Sequence, residues 1–110
     1  MKPEAQETIN NNLRDLLDPM QKLIFNPGVK LDTGNSLDHE LKKAEICYQL
    51  QKYGHTFVTE ARLKTGGKPD ILVLDIIQPI AYEIMKSESD KSITLKESVY
   101  HGIKIIKVRV

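Results

Sequence analysis

The sequence predicts a single α/β domain built on a mixed β-sheet. Apolar residues recur at helical spacing between residues 36 and 54, whereas residues 71–77, "ILVLDII", are almost wholly apolar, as in a central strand covered on both faces. The chain has 110 residues, which suffices for one compact domain but not for two ordinary ones. The predicted order is helix, three strands, helix and strand, preceded by an N-terminal helical segment.

Residues 1–35 form this N-terminal helical extension and a following loop. Apolar residues lie on one helical stripe up to about Phe25, and Pro19 is expected to kink or split the helix. The stripe comprises Ile9, Leu13, Leu16, Leu17, Met20, Leu23 and Ile24. The stretch "FNPGVKLDTGNS" then has the turn residues of a loop. Two roles are open for the extension: packing on the core, or acting as a dimerisation arm.

The core, residues 36–110, is predicted to begin with a helix between Ser36 and Gly54. Ser36 is a good N-cap, and Gly54 suits the left-handed conformation that ends many helices. Helical spacing puts Glu40 on one flank of the apolar stripe and Glu45 on the other. The stripe itself is predicted to consist of Leu37, Leu41, Ala44 and Tyr48.

Three strands, a helix and a final strand are predicted for the remainder of the core. The three strands are "HTFVTEARL", "ILVLDII" and "IAYEIMKS", with "KTGGK" as the turn between the first two. The polar stretch "ESDKSITLKESVYH" is predicted to be a helix closed by Gly102, and "IKIIKVRV" the last strand.

Composition narrows the classes of protein to consider. No stretch has the length of a membrane span, and the N-terminus lacks the apolar core of a signal peptide, so a cytoplasmic, intracellular protein without membrane contact is expected. The single cysteine, Cys47, excludes an internal disulfide and is expected to pack in the core. A net charge of +1 means that any nucleic-acid contact must come from local basic patches.

Two carboxylates occupy conspicuous positions in the predicted sheet. Asp70 stands at the head of the most apolar strand and Glu83 lies within the next one, where burying an unpaired charge is costly. Strand alternation could simply turn Glu83 to solvent. Alternatively, antiparallel pairing brings both carboxylates to one edge of the sheet, where with a backbone carbonyl they suit Mg²⁺ or Mn²⁺. Such an ion polarises a scissile phosphate and lowers the pKa of the attacking water.

The order of elements, together with Pro69-Asp70, twelve intervening residues and Glu83, resembles the PD-(D/E)xK nuclease superfamily. The stretch "HELKKAEICYQLQKYGHTFVTEARLKTGGKPDILVLD" is similar to its small archaeal and viral members, of the Holliday-junction-resolvase-like and restriction-endonuclease-like branches. The resemblance covers residues 36–110 and leaves residues 1–35 unexplained. It implies a restriction-endonuclease-like αβββαβ core with a mixed central sheet.

The resemblance also implies a set of site residues. Asp70 and Glu83 would be metal ligands, with the backbone carbonyl of Ile84 as a third, and the cofactor would be Mg²⁺ or Mn²⁺. Glu40 would be the helical carboxylate that completes the metal site or orients water. It is preferred to Glu45 because it lies near the start of the helix.

The chain departs from the family pattern at the catalytic lysine. In the motif the lysine follows the glutamate by two residues, whereas here Met85 occupies that position and Lys86 follows Glu83 by three. Alternation then turns Lys86 to the opposite face. Three explanations are open: a β-bulge re-aims Lys86, another lysine such as Lys96 or Lys68 takes the role, or the site binds metal poorly and cleaves slowly or not at all.

Several other polar residues are interpreted as parts of the surface. Glu60 could support the metal ligands from behind, but the solvent face of its strand is the preferred expectation. The three histidines, too scattered for a metal site, are expected at the surface or at strand ends. The histidines are His39, His55 and His101. The lysines expected to contact nucleic acid are Lys64, Lys68 and Lys96.

The sequence therefore predicts a small Mg²⁺- or Mn²⁺-dependent endonuclease that hydrolyses phosphodiester bonds in duplex or branched DNA. Structure-selective or weakly sequence-specific cutting is expected, because a short chain leaves little room for base readout. A homodimer is expected, with the N-terminal apolar stripe as its interface. The alternative is a catalytically degenerate nuclease-fold module that binds nucleic acid or a protein partner, which Met85 supports. A third reading is a structural α/β domain with Glu83 facing solvent.

Overall fold

The computed structural model describes residues 3–85 and 102–110 of the chain. They form two helices and a four-stranded mixed sheet, so the predicted α/β class is confirmed. The elements are α1 (Pro3–Leu16), α2 (Leu37–Lys52), β1 (Phe57–Thr59), β2 (Ile71–Val73), β3 (Ile80–Met85) and β4 (Lys104–Arg109). No helix within these two ranges is long and apolar enough to cross a membrane. The helix predicted over residues 88–101 lies outside the described residues.

The sheet has the strand order β1-β2-β3-β4. The first three strands pair antiparallel as a meander, and β4 pairs parallel to β3 from Ile80↔Lys104 to Met85↔Arg109. Because β2 lies inside the sheet, its residues alternate between two covered faces, which explains why "ILVLDII" carries so few polar residues.

Two hydrophobic clusters fill the two sides of the sheet. One side packs against α1 and contains Ile9, Leu17, Val58, Ala61, Leu63, Leu72, Leu74 and Ala81. The other packs against α2 and contains Cys47, Leu50, Phe57, Ile71 and Val73. Cys47 is buried in the core as predicted, and burial raises the pKa of its thiol to about 11 although Lys43 lowers it slightly. The two helices therefore cover opposite faces of one sheet.

The N-terminal segment is part of this core. Helix α1 ends at Leu16, before Pro19, and Ile9 and Leu17 are each only 3% exposed beneath the sheet. The chain after α1 then lies along the β1 side of the sheet, where it forms the isolated bridges Leu17↔Leu63 and Phe25↔Val58. Most of the apolar stripe therefore packs on this chain's own sheet, which is the first of the two predicted roles, while Met20 at its far end is exposed. The homodimer stays a prediction.

The ends of α2 agree with the sequence prediction. Ser36 is the N-cap, its side chain accepting a hydrogen bond of 3.2 Å from the backbone N–H of His39. At the other end Tyr53 is the C-cap, and Gly54 follows with a φ of +78°. Only glycine adopts this left-handed conformation without steric cost, which fixes where the helix stops.

The predicted apolar stripe of α2 is wrong. Leu37, Leu41 and Tyr48 are 72%, 59% and 66% exposed. The buried residues of the helix are His39, Glu40, Lys43, Cys47 and Leu50. Charged side chains occupy the buried face of the first two turns because they pair with one another and with the end of the sheet, as described below. Only the second half of the helix packs on the sheet through apolar side chains, namely those of Cys47 and Leu50.

We expect Leu72→Ala, in the central strand, to lower the free energy of unfolding by about 2–5 kcal/mol, because it removes a fully buried side chain and leaves a cavity. The same substitution at the exposed Leu37 should change it by no more than about 0.5 kcal/mol. Urea denaturation monitored by circular dichroism measures both. Comparable losses in the two variants would show that the Leu37 face of α2 is covered in solution.

Candidate active site

Three buried carboxylates lie in one row across the sheet. The register of β1, β2 and β3, extended by one residue, places Glu60, Asp70 and Glu83 beside one another, at the level where the β1–β2 pairing ends and β3 continues to Met85. The last paired residues before this row are Thr59, Ile71 and Tyr82. Glu60, Asp70 and Glu83 are 8%, 9% and 4% exposed, so the row is held away from bulk water.

Backbone hydrogen bonds fix Asp70 within this row. The N–H of Glu60 donates to the carbonyl of Asp70 at 3.2 Å. The N–H of Ile84 donates to Asp70 Oδ2 at 2.8 Å, so the carboxylate is attached to β3 immediately beside Glu83. The predicted juxtaposition of Asp70 and Glu83 is therefore present in the strand register.

Helix α2 brings three charged or titratable side chains close to this row. His39, Glu40 and Lys43 lie in its first two turns and are 9%, 9% and 0% exposed. Glu40 and Lys43 are three residues apart and so share one helix face. The Ser36 cap fixes the start of the helix and hence the direction in which this face points.

These side chains form a continuous chain of contacts, the charged cluster, comprising His39, Glu40, Lys43, Glu60 and Asp70. His39 Nε2 lies 3.3 Å from Asp70 Oδ1, and His39 Nδ1 lies 2.8 Å from Glu40 Oε1. Lys43 Nζ is 2.7 Å from Glu40 Oε2 and 3.0 Å from Glu60 Oε1. The cluster thus joins α2 to the ends of β1 and β2.

Lys43 is the central cation of the charged cluster. Burial lowers the pKa of its ammonium, but hydrogen bonds and charge interactions with Glu40 and Glu60 outweigh this, so the pKa is raised overall. Lys43 therefore stays charged and offsets two buried carboxylates. Without it Glu40 would keep only the hydrogen bonds of Asp32, Asn35 and His39. Glu60 would keep only the partly exposed Lys68 at 3.6 Å, so both buried charges would be poorly compensated.

Glu40 is held firmly as an anion. Burial alone would raise its pKa, but hydrogen bonds from Lys43, the N–H of Asp32, Asn35 and His39 lower it from 4.5 to about 2. The loop before α2 takes part directly: the N–H of Asp32 donates to Oε2 at 3.1 Å and the Asn35 amide to Oε1 at 3.0 Å. Both oxygens of Glu40 already accept two donors each.

The pKa of Asp70 is shifted in the opposite direction to that of Glu40. Burial raises the pKa of its carboxyl above the usual range, and the nearby Glu60 raises it further. The Ile84 N–H and the charges of His39 and Lys43 lower it, but by less. A carboxylate that is costly to ionise and sits beside a second acid is a common feature of functional sites, since a bound cation would stabilise its charge.

Glu60 and His39 differ from their sequence interpretation. Glu60 is buried, not solvent-facing, and its φ of +53° lies in the left-handed region, which is strained for a residue with a side chain. His39 is buried between Glu40 and Asp70 rather than lying on the surface. His55 agrees with its prediction, since it precedes β1, half-buried, 3.2 Å from Asp75 Oδ1. His101 lies outside the described residues.

The other residues predicted for the site lie in or near the charged cluster, at the surface, or outside the described residues. Glu40 lies in the charged cluster, whereas Glu45 is exposed and pairs with Lys42 at 3.1 Å. Lys68 is close to the cluster, with its Nζ 3.6 Å from Glu60 Oε2, whereas Lys64 is exposed on the β1–β2 connection. The predicted site lysines Lys86 and Lys96 lie outside the described residues.

Sequence reasoning missed Lys43 altogether. The available signal was its position three residues after Glu40, which on any helix places the two side chains on the same face. Choosing the face of α2 by hydrophobicity hid that signal, because Leu37, Leu41 and Tyr48 form a better apolar stripe than the face that is buried.

The predicted metal ligands are only partly brought together. Within residues 3–85 and 102–110, no group of three His, Cys, Asp or Glu side chains is arranged to hold a metal ion. Asp70 and Glu83 are neighbours in the register, but Glu40 reaches Asp70 through His39. Ile84 contributes its N–H to Asp70. Of the predicted ligands, only Asp70 and Glu83 are therefore direct neighbours across two strands.

No protein-family model, curated protein or solved structure gives a significant match to this chain. The resemblance to the PD-(D/E)xK nucleases therefore stays a prediction from the sequence.

We expect Lys43→Met to lower the free energy of unfolding by about 3–5 kcal/mol, because it leaves Glu40 and Glu60 buried without their cation. Lys42→Met, on the next residue, removes a solvent-exposed pair with Glu45 and should cost less than about 1 kcal/mol. Urea denaturation at neutral pH compares the two variants. A cost at Lys43 no greater than that at Lys42 would contradict the central role assigned to this lysine.

The low pKa of Glu40 predicts acid sensitivity. A carboxyl whose pKa falls from 4.5 unfolded to about 2 folded contributes about 3 kcal/mol above pH 4.5, and this contribution is lost as the pH falls to 2. The difference in unfolding free energy between wild type and Glu40→Gln should therefore shrink across that interval. Glu45→Gln, at an exposed position, is the control and should show no such convergence. A constant difference for Glu40→Gln would refute the assignment.

Proposed function

We propose that this protein is a metal-dependent endonuclease with a restriction-endonuclease-like core that hydrolyses phosphodiester bonds in DNA. The observation that carries the proposal is the row of buried carboxylates, in which Asp70, immediately before β2, is the cross-strand neighbour of Glu83 in the antiparallel β3. The upstream helix turns a glutamate toward the same row, which adds support.

Asp70 and Glu83 are the proposed ligands of Mg²⁺ or Mn²⁺. Both offer the oxygen donors that these ions prefer. Burial raises the pKa of Asp70, so its ionised form lacks sufficient compensation from the protein alone and would be stabilised by a cation. When bound, the ion would polarise the scissile phosphate and lower the pKa of the attacking water.

The charged cluster positions Asp70. Glu40, fixed by its four donors, holds the ring of His39, and the other nitrogen of that ring lies 3.3 Å from Asp70 Oδ1. Lys43 prevents repulsion between Glu40 and Glu60. We assign Glu40, His39 and Lys43 to this positioning role, because the fully buried Lys43 and the saturated Glu40 cannot contact a substrate in solvent.

Lys68 is the proposed cation that contacts the phosphate. The motif position is occupied by Met85, which is 1% exposed and belongs to the protein interior. Lys68 lies two residues before Asp70, its side chain is 46% exposed, and its Nζ reaches to within 3.6 Å of Glu60. It is therefore both close to the carboxylate row and accessible to a ligand.

A second candidate function follows from Met85. A nuclease-fold module that binds nucleic acid without cleaving it would have no need of a lysine at this position, and a buried methionine fits that loss. Calorimetric titration with Mn²⁺ separates the two functions, because an intact Asp70–Glu83 site should bind the ion and a degenerate one should not.

We expect Asp70→Asn and Glu83→Gln each to lower the rate of DNA cleavage by at least about 100-fold, because each removes a charged ligand. Asp70→Asn should not lower the free energy of unfolding at neutral pH. Since the pKa of Asp70 is raised, the folded state is favoured by protonation, and this stability is lost as the pH rises above 3.8 through the raised pKa. An uncharged Asn avoids that loss.

The measurement uses duplex, branched and single-stranded DNA with Mn²⁺, alongside urea denaturation of every variant. Glu45→Gln is the control and should cleave as the wild type does. Equal cleavage by wild type, Asp70→Asn and Glu83→Gln would refute the proposed site.

A further inference from the structure

A basic cleft of about 420 Å³ opens beside the charged cluster. It is lined by Met20, Gln21, Lys22, Lys30, Glu60, Arg62 and Lys68. Four of these residues are cations, and Glu60 is the one acid among them. Met20 is the one apolar lining residue, so the cleft has no wall on which a nucleobase could stack.

The first side of the basic cleft is fixed to the β1–β2 connection by a pair of short hydrogen bonds. The Gln21 amide donates to the carbonyl of Arg62 at 2.7 Å and accepts from the N–H of Arg62 at 2.7 Å. The N–H of Asp18 adds a bond of 3.1 Å to the same carbonyl. These bonds fix Gln21 relative to Arg62, and so they also place the backbone of the next residue, Lys22.

The second side of the basic cleft is fixed in the same way. The N–H of Lys30 donates to the Thr59 hydroxyl at 2.9 Å, at the end of β1 and immediately before Glu60. Residues from the N-terminal segment and residues from the β1–β2 connection thus face one another across a preformed opening. Preformed cationic sites bind anions without the cost of ordering the backbone.

Charge pairing leaves the basic cleft with a surplus of positive charge. Glu60 already pairs with the buried Lys43 as well as with Lys68. Lys22 and Lys30 make no ion pair with any acid among the described residues. Arg62 contacts Asp18 at 3.6 Å, but its side chain is 55% exposed. The exposed Lys22 and Lys30 are therefore available to neutralise an anionic ligand.

We propose that the basic cleft binds the phosphodiester backbone of DNA, and that the N-terminal segment supplies half of this surface through Lys22 and Lys30. The ligand class follows from four cations without an aromatic or apolar wall, and from the connection of the cleft through Glu60 to the carboxylate row. This inference deepens the proposed function by naming how the substrate is held, but it does not require cleavage.

The test compares two double variants that each remove two positive charges. Lys22→Gln/Lys30→Gln alters the cleft. Lys52→Gln/Lys104→Gln, at the C-terminal end of α2 and at the opposite end of the sheet, is the matched control. Binding to a short fluorescent DNA duplex is measured by anisotropy in EDTA between about 50 and 200 mM salt, where phosphate contacts dominate affinity. Urea denaturation confirms that both variants are folded.

We expect the cleft variant to bind at least about 10-fold more weakly than wild type and to reduce the slope of log affinity against log salt by about 2, one for each lost phosphate contact. The control should keep the wild-type slope. Equal losses in the two variants, or no duplex binding by wild type at low salt, would overturn the proposal. Because EDTA prevents metal-dependent cleavage, a wild type that binds through the cleft but never cleaves would refute only the endonuclease.

Discussion

The site depends on one buried ion triad, in which the Lys43 ammonium lies between Glu40 on its own helix and Glu60 at the end of β1. This contact decides which face of α2 lies on the sheet, because the cation cannot be buried without both partners. Glu60, one of its two acids, has a left-handed backbone conformation that is unfavourable for a residue with a side chain. Through Glu40 and His39 the same triad reaches Asp70. The contacts that stabilise the fold are therefore also those that position the candidate site residue.

The carboxylates around this triad are divided into two electrostatic classes. Glu40 has a pKa lowered to about 2 and is an anion at neutral pH, whereas the pKa of Asp70 is raised by burial. Under the proposed function the group with the lowered pKa stabilises the fold and the group with the raised pKa binds the ligand, since acids whose pKa values are shifted in opposite directions often have different roles.

The N-terminal segment, which the sequence resemblance left unexplained, has two roles. Its helix covers one face of the sheet, which buries Ile9 and Leu17. The chain after that helix is fixed to the β1–β2 connection by Gln21, which brings Lys22 to one side of the basic cleft. The same segment therefore completes the hydrophobic core and supplies charge next to the candidate site.

The sequence by itself determined the local structure. Ser36 and Gly54 fixed the ends of α2 through capping and left-handed backbone geometry, and the apolar run of β2 placed it inside the sheet. Tertiary structure alone decided which face of α2 is buried, because mutually paired charges outweighed the hydrophobicity of the stripe containing Leu37. It also decided that Glu60 is buried, since its partner Lys43 is distant along the chain. Hydrophobic patterns report the average cost of burying a residue type, whereas the cost for a particular charge depends on partners that only the folded chain brings within reach.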